Sequence, residues 1–136
     1  MGRNNISSGS AFEAEIGYSR AVVVDDGWIV VSGTTGYDYK TGAISDDVAE
    51  QAQQILVNVD AALREAGASM ADVVRVRYIL PDRRDFPKTW PVLKRWFGEV
   101  RPAATMVESG LMKEEMKIEI EVTAKKGCGA AAAAKA

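Results

Sequence analysis

The residues available for acid–base chemistry in this sequence are carboxylates, tyrosines and lysines, because its 136 residues include no histidine. That absence excludes Ser-His-Asp and Cys-His catalysis and removes the commonest ligand of catalytic zinc. The single cysteine, Cys128, lies between two glycines near the C-terminus and has no partner for an internal disulfide. We therefore expect no metal site, no cofactor and a cytosolic location.

Two carboxylates, Glu119 and Glu121, lie on one face of the segment from Met116 to Ala124. Ile118 and further apolar residues alternate with them, and this period of two predicts a strand with one apolar and one polar face. A carboxylate on such a strand could hold or activate a water molecule for hydrolysis. Judged from these residues alone, a pair of solvent-facing glutamates is the simpler interpretation.

Aromatic residues among cations form a second set of candidates. Trp90 and Trp96 have lysine and arginine near them, which could indicate a surface that stacks on nucleic-acid bases. The formal net charge of −2 and the isoelectric point of about 5.2 oppose that interpretation, since nucleic-acid binders are normally basic. The spacing of Trp90 from Phe86 and Leu93 instead predicts a residue on the core-facing side of a helix.

The elements that must position these residues follow from hydrophobic periodicity and turn signals. The Asp-Gly pair at residues 26–27 predicts the turn of an antiparallel hairpin. Apolar residues recur every three or four positions over residues 48–66, where Asp47 and Glu50 resemble a capping box and Gly67 ends the predicted helix. The full prediction comprises strands at residues 20–25, 28–32, 73–80, 103–108 and 116–124, and helices at residues 48–66 and 86–98.

This order of elements predicts an α+β fold: a single mixed sheet with two helices on one of its faces. The other face would carry Val22, Val24, Ile29 and Val31, which are too apolar to remain exposed. We therefore expect self-association to cover that face.

The length suits a single domain, flanked by a short polar segment and a low-complexity segment. The interpretation assigns residues 1–11 to a polar lead-in, residues 12–126 to the domain and residues 127–136 to a low-complexity tail of alanine and glycine. No apolar run approaches the roughly 18 residues that span a bilayer, and the lead-in lacks the apolar core of a secretory signal. No membrane association is expected.

Short segments in a fixed order run along nearly the whole chain. They are residues 16–21 (Ile-Gly-Tyr-Ser-Arg-Ala), 31–33 (Val-Ser-Gly), 40–42 (Lys-Thr-Gly) with Ile44, Asp47, 51–54 (Gln-Ala-Gln-Gln), 58–59 (Asn-Val), 65–67 (Glu-Ala-Gly), 101–103 (Arg-Pro-Ala) and 117–121 (Lys-Ile-Glu-Ile-Glu). Each segment alone is unspecific. The ordered set, over roughly residues 12–125, resembles the Rid family, also called YjgF-like or L-PSP endoribonuclease-like.

The resemblance implies a chorismate-mutase-like homotrimer with small-molecule pockets between its subunits. Family members with deaminase activity hydrolyse an enamine or imine to a 2-keto acid and ammonia without a metal. That reaction needs a cation for the substrate carboxylate, a water beside the imine carbon and a group that moves protons. By resemblance, the pocket tyrosine is Tyr18, the pocket serine is Ser32 and the pocket glutamate is Glu119.

The arginine with which the family binds the substrate carboxylate falls on Ala104. Losing a bidentate arginine–carboxylate pair costs about 1.5–3 kcal/mol, or roughly ten- to a hundredfold in affinity. Trp90 falls where active members carry a small polar residue, so it would reshape the pocket. Arg20 or Arg101 could supply the missing cation from another direction, although a surface arginine or an intersubunit salt bridge is the simpler interpretation of each.

Two functions therefore stay open. The first is a metal-free enamine or imine deaminase with an altered substrate range, in which Glu119 and Ser32 act on the substrate. The second is a trimeric module that binds a hydrophobic or aromatic ligand in the same pockets without turnover. An endoribonuclease or translation-inhibiting activity, described for some family members, is a third and minor alternative. The predicted partners are further copies of the chain and a small molecule.

Overall fold

The computed structural model describes residues 2–129, which form one six-stranded sheet with three helices. The strands are β1 (Arg3–Ile6), β2 (Ala21–Val24), β3 (Trp28–Thr34), β4 (Val73–Leu80), β5 (Ala103–Glu108) and β6 (Glu119–Lys125). The helices are α1 (Ala11–Ile16), α2 (Val48–Glu65) and α3 (Phe86–Phe97). In the order β1-β2-β3-β6-β4-β5, β4 and β5 run parallel and the other described neighbours antiparallel. The predicted α+β fold with one mixed sheet is confirmed.

Helix α2 begins at a polar cap and ends at a glycine, as predicted. The Asp47 carboxylate accepts a hydrogen bond from the Glu50 backbone N–H at 3.0 Å, which satisfies one of the free donors of the first turn. Gly67 follows the helix with φ of 85°, a conformation that favours glycine. The capping box is only half formed, because the Glu50 carboxylate accepts from the Ser45 hydroxyl at 3.0 Å.

The hydrophobic core lies between the sheet and helices α2 and α3. Helix α2 packs against α3 and against strands β3 and β6. The fully buried side chains come from all of these layers: Ile29, Val31, Ile55, Leu56, Val59, Leu63, Val76, Leu80 and Ile120. Within residues 2–129, no helix is long and apolar enough to span a bilayer.

The opposite face of the sheet is more exposed and still apolar in part. Val24 and Val30 lie on it, and Val30 is 52% exposed. The prediction that Ile29 and Val31 also lie there is wrong, because both point toward the helices and are 1% exposed or less. Side chains alternate along a strand, so only every second residue of an all-apolar run can face one side.

The prediction that Trp90 faces the core is also wrong. Trp90 is 55% exposed, whereas α3 buries Thr89, Leu93 and Phe97. At about 100° per residue, Trp90 lies at the margin of the stripe that those three residues define. Its ring meets the edge of Phe86, with ring centroids 6.1 Å apart and planes at 88°.

The N-terminal lead-in contains structure that the polar sequence did not predict. Strand β1 pairs antiparallel with β2, with Ile6 opposite Ala21. Helix α1 follows, and it is capped by the Ser10 hydroxyl, which accepts from the Phe12 N–H at 3.3 Å. The last strand, predicted from residue 116, begins at Glu119.

The first residues of the predicted tail contact the domain. The Gly129 N–H donates to the Asp72 carboxylate at 2.8 Å, and the Cys128 thiol contacts the Asp72 carbonyl at 3.4 Å. Residues 130–136, for which a frayed tail was predicted, lie outside the described residues.

Tyr78 on β4 is expected to make the fold sensitive to alkaline pH. Its side chain is 5% exposed, and burial raises the pKa of its hydroxyl from 10.0 to about 12. A pKa raised in the folded state stabilises that state below the unfolded value, and the stabilisation is lost as pH rises through the folded value. Between pH 10 and 12, the free energy of unfolding is therefore expected to fall by on the order of 2 kcal/mol in urea denaturation. A Tyr78→Phe variant should lose most of this dependence, and an unchanged slope would contradict the assignment.

Candidate active site

Strand β3 is irregular where it carries Ser32 and Gly33. Its pairing with β6 shifts between Val31 and Thr34, so Ser32 and Gly33 together stand opposite a single residue of β6. This is a β-bulge, a feature that bends a strand, re-aims side chains and is common beside active sites. The Ser32 hydroxyl donates to the Ser19 carbonyl at 2.6 Å, which ties the bulge to the start of β2.

The guanidinium of Arg20 holds this bulge. Its Nη1 donates to the Gly33 carbonyl at 2.8 Å and to the Thr34 hydroxyl at 2.9 Å, and Nη2 donates to the Tyr18 hydroxyl at 3.4 Å. The rings of Tyr18 and Tyr39 lie 5.5 and 5.9 Å from its Cζ, within cation–π range. Arg20 is 5% exposed and forms no ion pair with a carboxylate of residues 2–129. The interpretation of Arg20 as a surface arginine is wrong.

The carboxylate of Glu119 lies against Gly33. A Cβ built on Gly33 would approach the carboxyl carbon of Glu119 to 2.9 Å, so the carboxylate occupies the space that a side chain would need. Burial raises the pKa of the Glu119 carboxyl above its ordinary value; the negative charge of Glu121 adds to the rise and the Arg20 guanidinium opposes it. A carboxyl group whose pKa is raised in this way accepts a proton more readily than an ordinary surface carboxylate.

The cross-strand neighbours distinguish the two glutamates of β6. Glu121 stands opposite Arg77 and forms an ion pair with it at 3.2 Å. Glu119 stands opposite Ile79, which offers no charge or hydrogen bond. Of the two glutamates of β6, Glu119 therefore forms no ion pair with the described residues. We call Tyr18, Arg20, Ser32, Gly33 and Glu119 the β3 cluster.

Three other predicted site residues do not join the β3 cluster within one chain. Strand β5 carries Ala104 and is separated from β3 by β6 and β4. Three strand spacings amount to roughly 14 Å. Ala104 is exposed, and so is Arg101, which precedes β5 with φ of 53°. Trp90 lies on α3, where its ring contacts Phe86.

Apolar residues lead from the side of β5 that carries Ala104 to helix α3. Met106, two residues further along the same side of β5, is 50% exposed and pairs with Tyr78. The Tyr78 ring lies 5.4 Å from the ring of Phe86, which in turn contacts Trp90. We call the set formed by the exposed residues Ala104, Met106 and Trp90 and the partly buried Phe86 the aromatic shelf.

The sequence reasoning missed Thr34 and Tyr39. Thr34 is 1% exposed, and its hydroxyl joins Arg20 to the Ser32 carbonyl, accepting from the former and donating to the latter at 2.8 Å. A glycine inside a strand-like run can indicate a bulge, so Gly33 was a usable signal for this local structure. No comparable signal pointed to Tyr39, which lies in the long loop before α2.

The β3 cluster brings together groups that can form hydrogen bonds and exchange protons. It offers one half-buried carboxylate, one phenol hydroxyl and the hydroxyl of Ser32. Within residues 2–129, the His, Cys, Asp and Glu side chains form no group of three that could hold a metal ion.

Comparison with known proteins identifies the family. The profile of a family described as endoribonuclease L-PSP matches residues 8–126. A RutC family protein of Pyrococcus abyssi is 40% identical over 110 residues, which are 80% of this chain and 86% of that protein. A human protein named 2-iminobutanoate/2-iminopropanoate deaminase is 35% identical over 126 residues, or 92% of this chain and 91% of that protein.

Solved structures agree with these sequence matches. A Mycobacterium tuberculosis protein described as a member of the YjgF/YER057c/UK114 family superposes with a TM-score of 0.82 at 40% identity, over 90% of this chain and 98% of that one. The YjgF protein of Escherichia coli superposes with a TM-score of 0.78 at 32% identity, over 90% and 98% of the two chains. The chain therefore belongs to the endoribonuclease L-PSP family, the Rid or YjgF-like family that its ordered segments resemble.

Proposed function

We propose that the protein hydrolyses a small imine or enamine to a carbonyl compound and ammonia. The observation that carries this proposal is the half-buried Glu119 carboxyl, which lies against Gly33 with a raised pKa in the same cluster as the Tyr18 hydroxyl. The human and Salmonella typhimurium relatives, both named 2-iminobutanoate/2-iminopropanoate deaminase, support it.

The proposed reaction adds water across the C=N bond. The water oxygen bonds to the imine carbon while the Glu119 carboxylate accepts a proton from the water, and the C=N π electrons form an N–H bond with a proton from solvent. Glu119 then gives its proton to the nitrogen, the C–N bond breaks to release ammonia, and the hydroxyl loses its proton to solvent as the carbonyl forms. Tyr18 accepts a hydrogen bond from Arg20 and keeps its own O–H to donate to the substrate. The Ser32 hydroxyl donates its hydrogen bond to the Ser19 carbonyl, so Ser32 Oγ is left to accept a hydrogen bond from the substrate.

Ammonia release from 2-iminopropanoate, generated in the assay by a serine dehydratase, tests this function directly. A second substrate set should contain imines without a carboxylate, because Ala104 leaves the specificity for imino acids open. Turnover above the rate in buffer, proportional to protein concentration, is the expected result. A folded protein that accelerates none of these hydrolyses would overturn the proposal.

We propose further that the chain assembles as a homotrimer with its small-molecule pockets between subunits. The support is the open sheet face, where Trp28 and Val30 are 42% and 52% exposed, and the expectation that follows from the family resemblance. Burying that face removes apolar surface from water. In such a trimer, β5 of one subunit brings Ala104 and the aromatic shelf toward the β3 cluster of the next.

A charge on the open face is expected to break this assembly. In Val30→Lys, each subunit would bury an ammonium group without a partner, so sedimentation velocity should report monomers where the parent protein sediments as a trimer. Val57→Lys is the matched control, because Val57 is 43% exposed but lies on helix α2. Equal sedimentation of Val30→Lys and Val57→Lys would show that the open face is not the interface.

A second function, binding of an apolar ligand without turnover, is favoured by the aromatic shelf. Met106, on the same side of β5 as Ala104, is 50% exposed, and its partner Tyr78 leads through Phe86 to Trp90, which is 55% exposed. Titration calorimetry with indole and with acetate separates the two functions. Binding of indole that Trp90→Ala abolishes, together with no turnover of any imine, would favour the binding module.

A further inference from the structure

Gly33 is not required by the conformation of its backbone. Its φ lies outside the left-handed region that favours glycine, so an alanine could adopt the same conformation. What excludes a side chain is the carboxylate of Glu119, because a Cβ would lie 2.9 Å from its carboxyl carbon and 3.4 Å from its Cγ. Glycine is therefore needed at this position because another residue approaches the backbone closely.

The other side of the same peptide is held by Arg20. Its Nη1 donates both to the Gly33 carbonyl at 2.8 Å and to the Thr34 hydroxyl at 2.9 Å. The Thr34 hydroxyl donates in turn to the Ser32 carbonyl at 2.8 Å. This network spans the bulge, where the ladder between β3 and β6 is interrupted and gives the backbone less support.

We propose that Arg20 and Gly33 are positioning residues that act through Glu119. Arg20 fixes the bulge, and Gly33, which has no side chain, leaves room for the Glu119 carboxylate to lie against the backbone of β3. This proposal rests on the proposed imine hydrolysis for its kinetic consequences but not for its geometry. In this proposal Arg20 does not bind the substrate carboxylate in place of the family arginine whose position Ala104 occupies.

The burial of Arg20 favours positioning over substrate binding. Both N–H groups of Nη1 donate to the bulge, to the Gly33 carbonyl and the Thr34 hydroxyl, and Nη2 donates once, to Tyr18. Nε donates to none of the described residues, but it is buried, and Arg20 as a whole is 5% exposed. A guanidinium that binds a substrate carboxylate needs two N–H groups open to the substrate on one edge, and burial closes this edge in the single chain.

Gly33→Ala tests the proposal, with Gly110→Ala as its matched control. Both glycines have φ outside the left-handed region, but a Cβ on Gly110 meets nothing within 4 Å. Because the group opposite Gly33 is the end of a flexible side chain, Gly33→Ala is expected to fold and to displace Glu119. We expect its kcat to fall by roughly ten- to a hundredfold with little change in KM, while Gly110→Ala keeps the parent values. Equal kinetics for the two variants would overturn the proposal.

A double-mutant cycle shows whether Gly33 acts through Glu119. In a Glu119→Gln background, with that carboxylate already absent, Gly33→Ala should lower kcat by much less than it does alone. Arg20→Gln should lower kcat more than Arg20→Lys, which keeps a charge and N–H donors, and neither should raise KM strongly. A large rise in KM for imino acids alone would return Arg20 to the role of a substrate clamp.

A measurement that needs no activity separates this proposal from the proposed function. The 13C resonance of the Glu119 carboxyl, assigned by its absence in Glu119→Gln, reports the pKa of that group directly. We expect Gly33→Ala to lower this pKa toward its ordinary value, because burial is the main cause of its rise. A parent protein without turnover but with this change would retain the positioning role and lose the proposed reaction. An unchanged titration would overturn the positioning role, and Arg20→Lys gives the same readout if Gly33→Ala does not fold.

Discussion

Glu119→Gln is expected to lower kcat for imine hydrolysis by roughly two to four orders of magnitude, the usual contribution of a positioned acid–base group. The amide keeps the size of the side chain and its place against Gly33, but it cannot accept a proton from water. The measurement is initial-rate ammonia release over a range of pH. In the parent protein, activity should rise with pH through the raised pKa of Glu119, which forms the acidic limb of the pH–rate profile. The variant should lack this rise.

Glu121→Gln is the matched control, because Glu121 lies on the same strand and face but forms an ion pair with Arg77 at 3.2 Å. It should retain most of the parent kcat. Its acidic limb should shift to lower pH, since one of the negative charges that raise the pKa of Glu119 is gone. Equal losses in the two variants would mean that the chemistry does not depend on the glutamate beside Gly33.

The same group has an expected effect on stability. A carboxyl whose pKa is raised on folding stabilises the folded state below the ordinary value, and that stabilisation is lost as pH rises through the raised pKa. Ionised Glu119 therefore opposes folding at neutral pH. Glu119→Gln should be at least as stable as the parent protein there, so a loss of activity would not come from unfolding.

The elements with regular hydrophobic periodicity could be predicted from the sequence. The predicted bounds of β4 and β5 are confirmed, and α2 ends at Glu65, one residue before the predicted end. These elements bury one face against the core, so their apolar period is the same in the sequence and in the structure.

Elements formed by tertiary contact could not be predicted in this way. Strand β1 has three exposed residues before Ile6 and shows no alternation that indicates a strand. Its conformation arises because the edge of β2 offers free backbone groups for pairing. The prediction for Trp90 failed for a related reason, because an apolar residue can lie either in the core or at the exposed margin of α3.

The site could be predicted only as far as the family resemblance named its residues. Tyr18, Ser32 and Glu119 do lie in one cluster, but no spacing in the sequence brings these positions together. The choice between Glu119 and Glu121 depends on their partners across the sheet, which are Ile79 and Arg77. The burial of Arg20 was equally hidden, because arginine is rarely buried and only the bulge of β3 supplies its acceptors.

Ala104→Arg is expected to strengthen binding of 2-imino acids by roughly ten- to a hundredfold, the worth of a bidentate pair between guanidinium and carboxylate. The position is exposed on β5, so the substitution should change the free energy of unfolding by less than about 0.5 kcal/mol. The measurements are KM for 2-iminopropanoate and the inhibition constant of pyruvate, its product. Both should fall, while KM for an imine without a carboxylate should stay constant or rise.

Ala104→Lys separates geometry from charge in this experiment. Lysine brings the same positive charge but no planar fork, so its gain should be clearly smaller than that of arginine. Equal gains would indicate general electrostatic attraction, and no gain from either would mean that Ala104 does not face the bound substrate. If arginine instead abolishes binding of an aromatic ligand that the parent protein holds, the aromatic shelf is the binding surface. Its apolar character is then the reason that an alanine serves at this position.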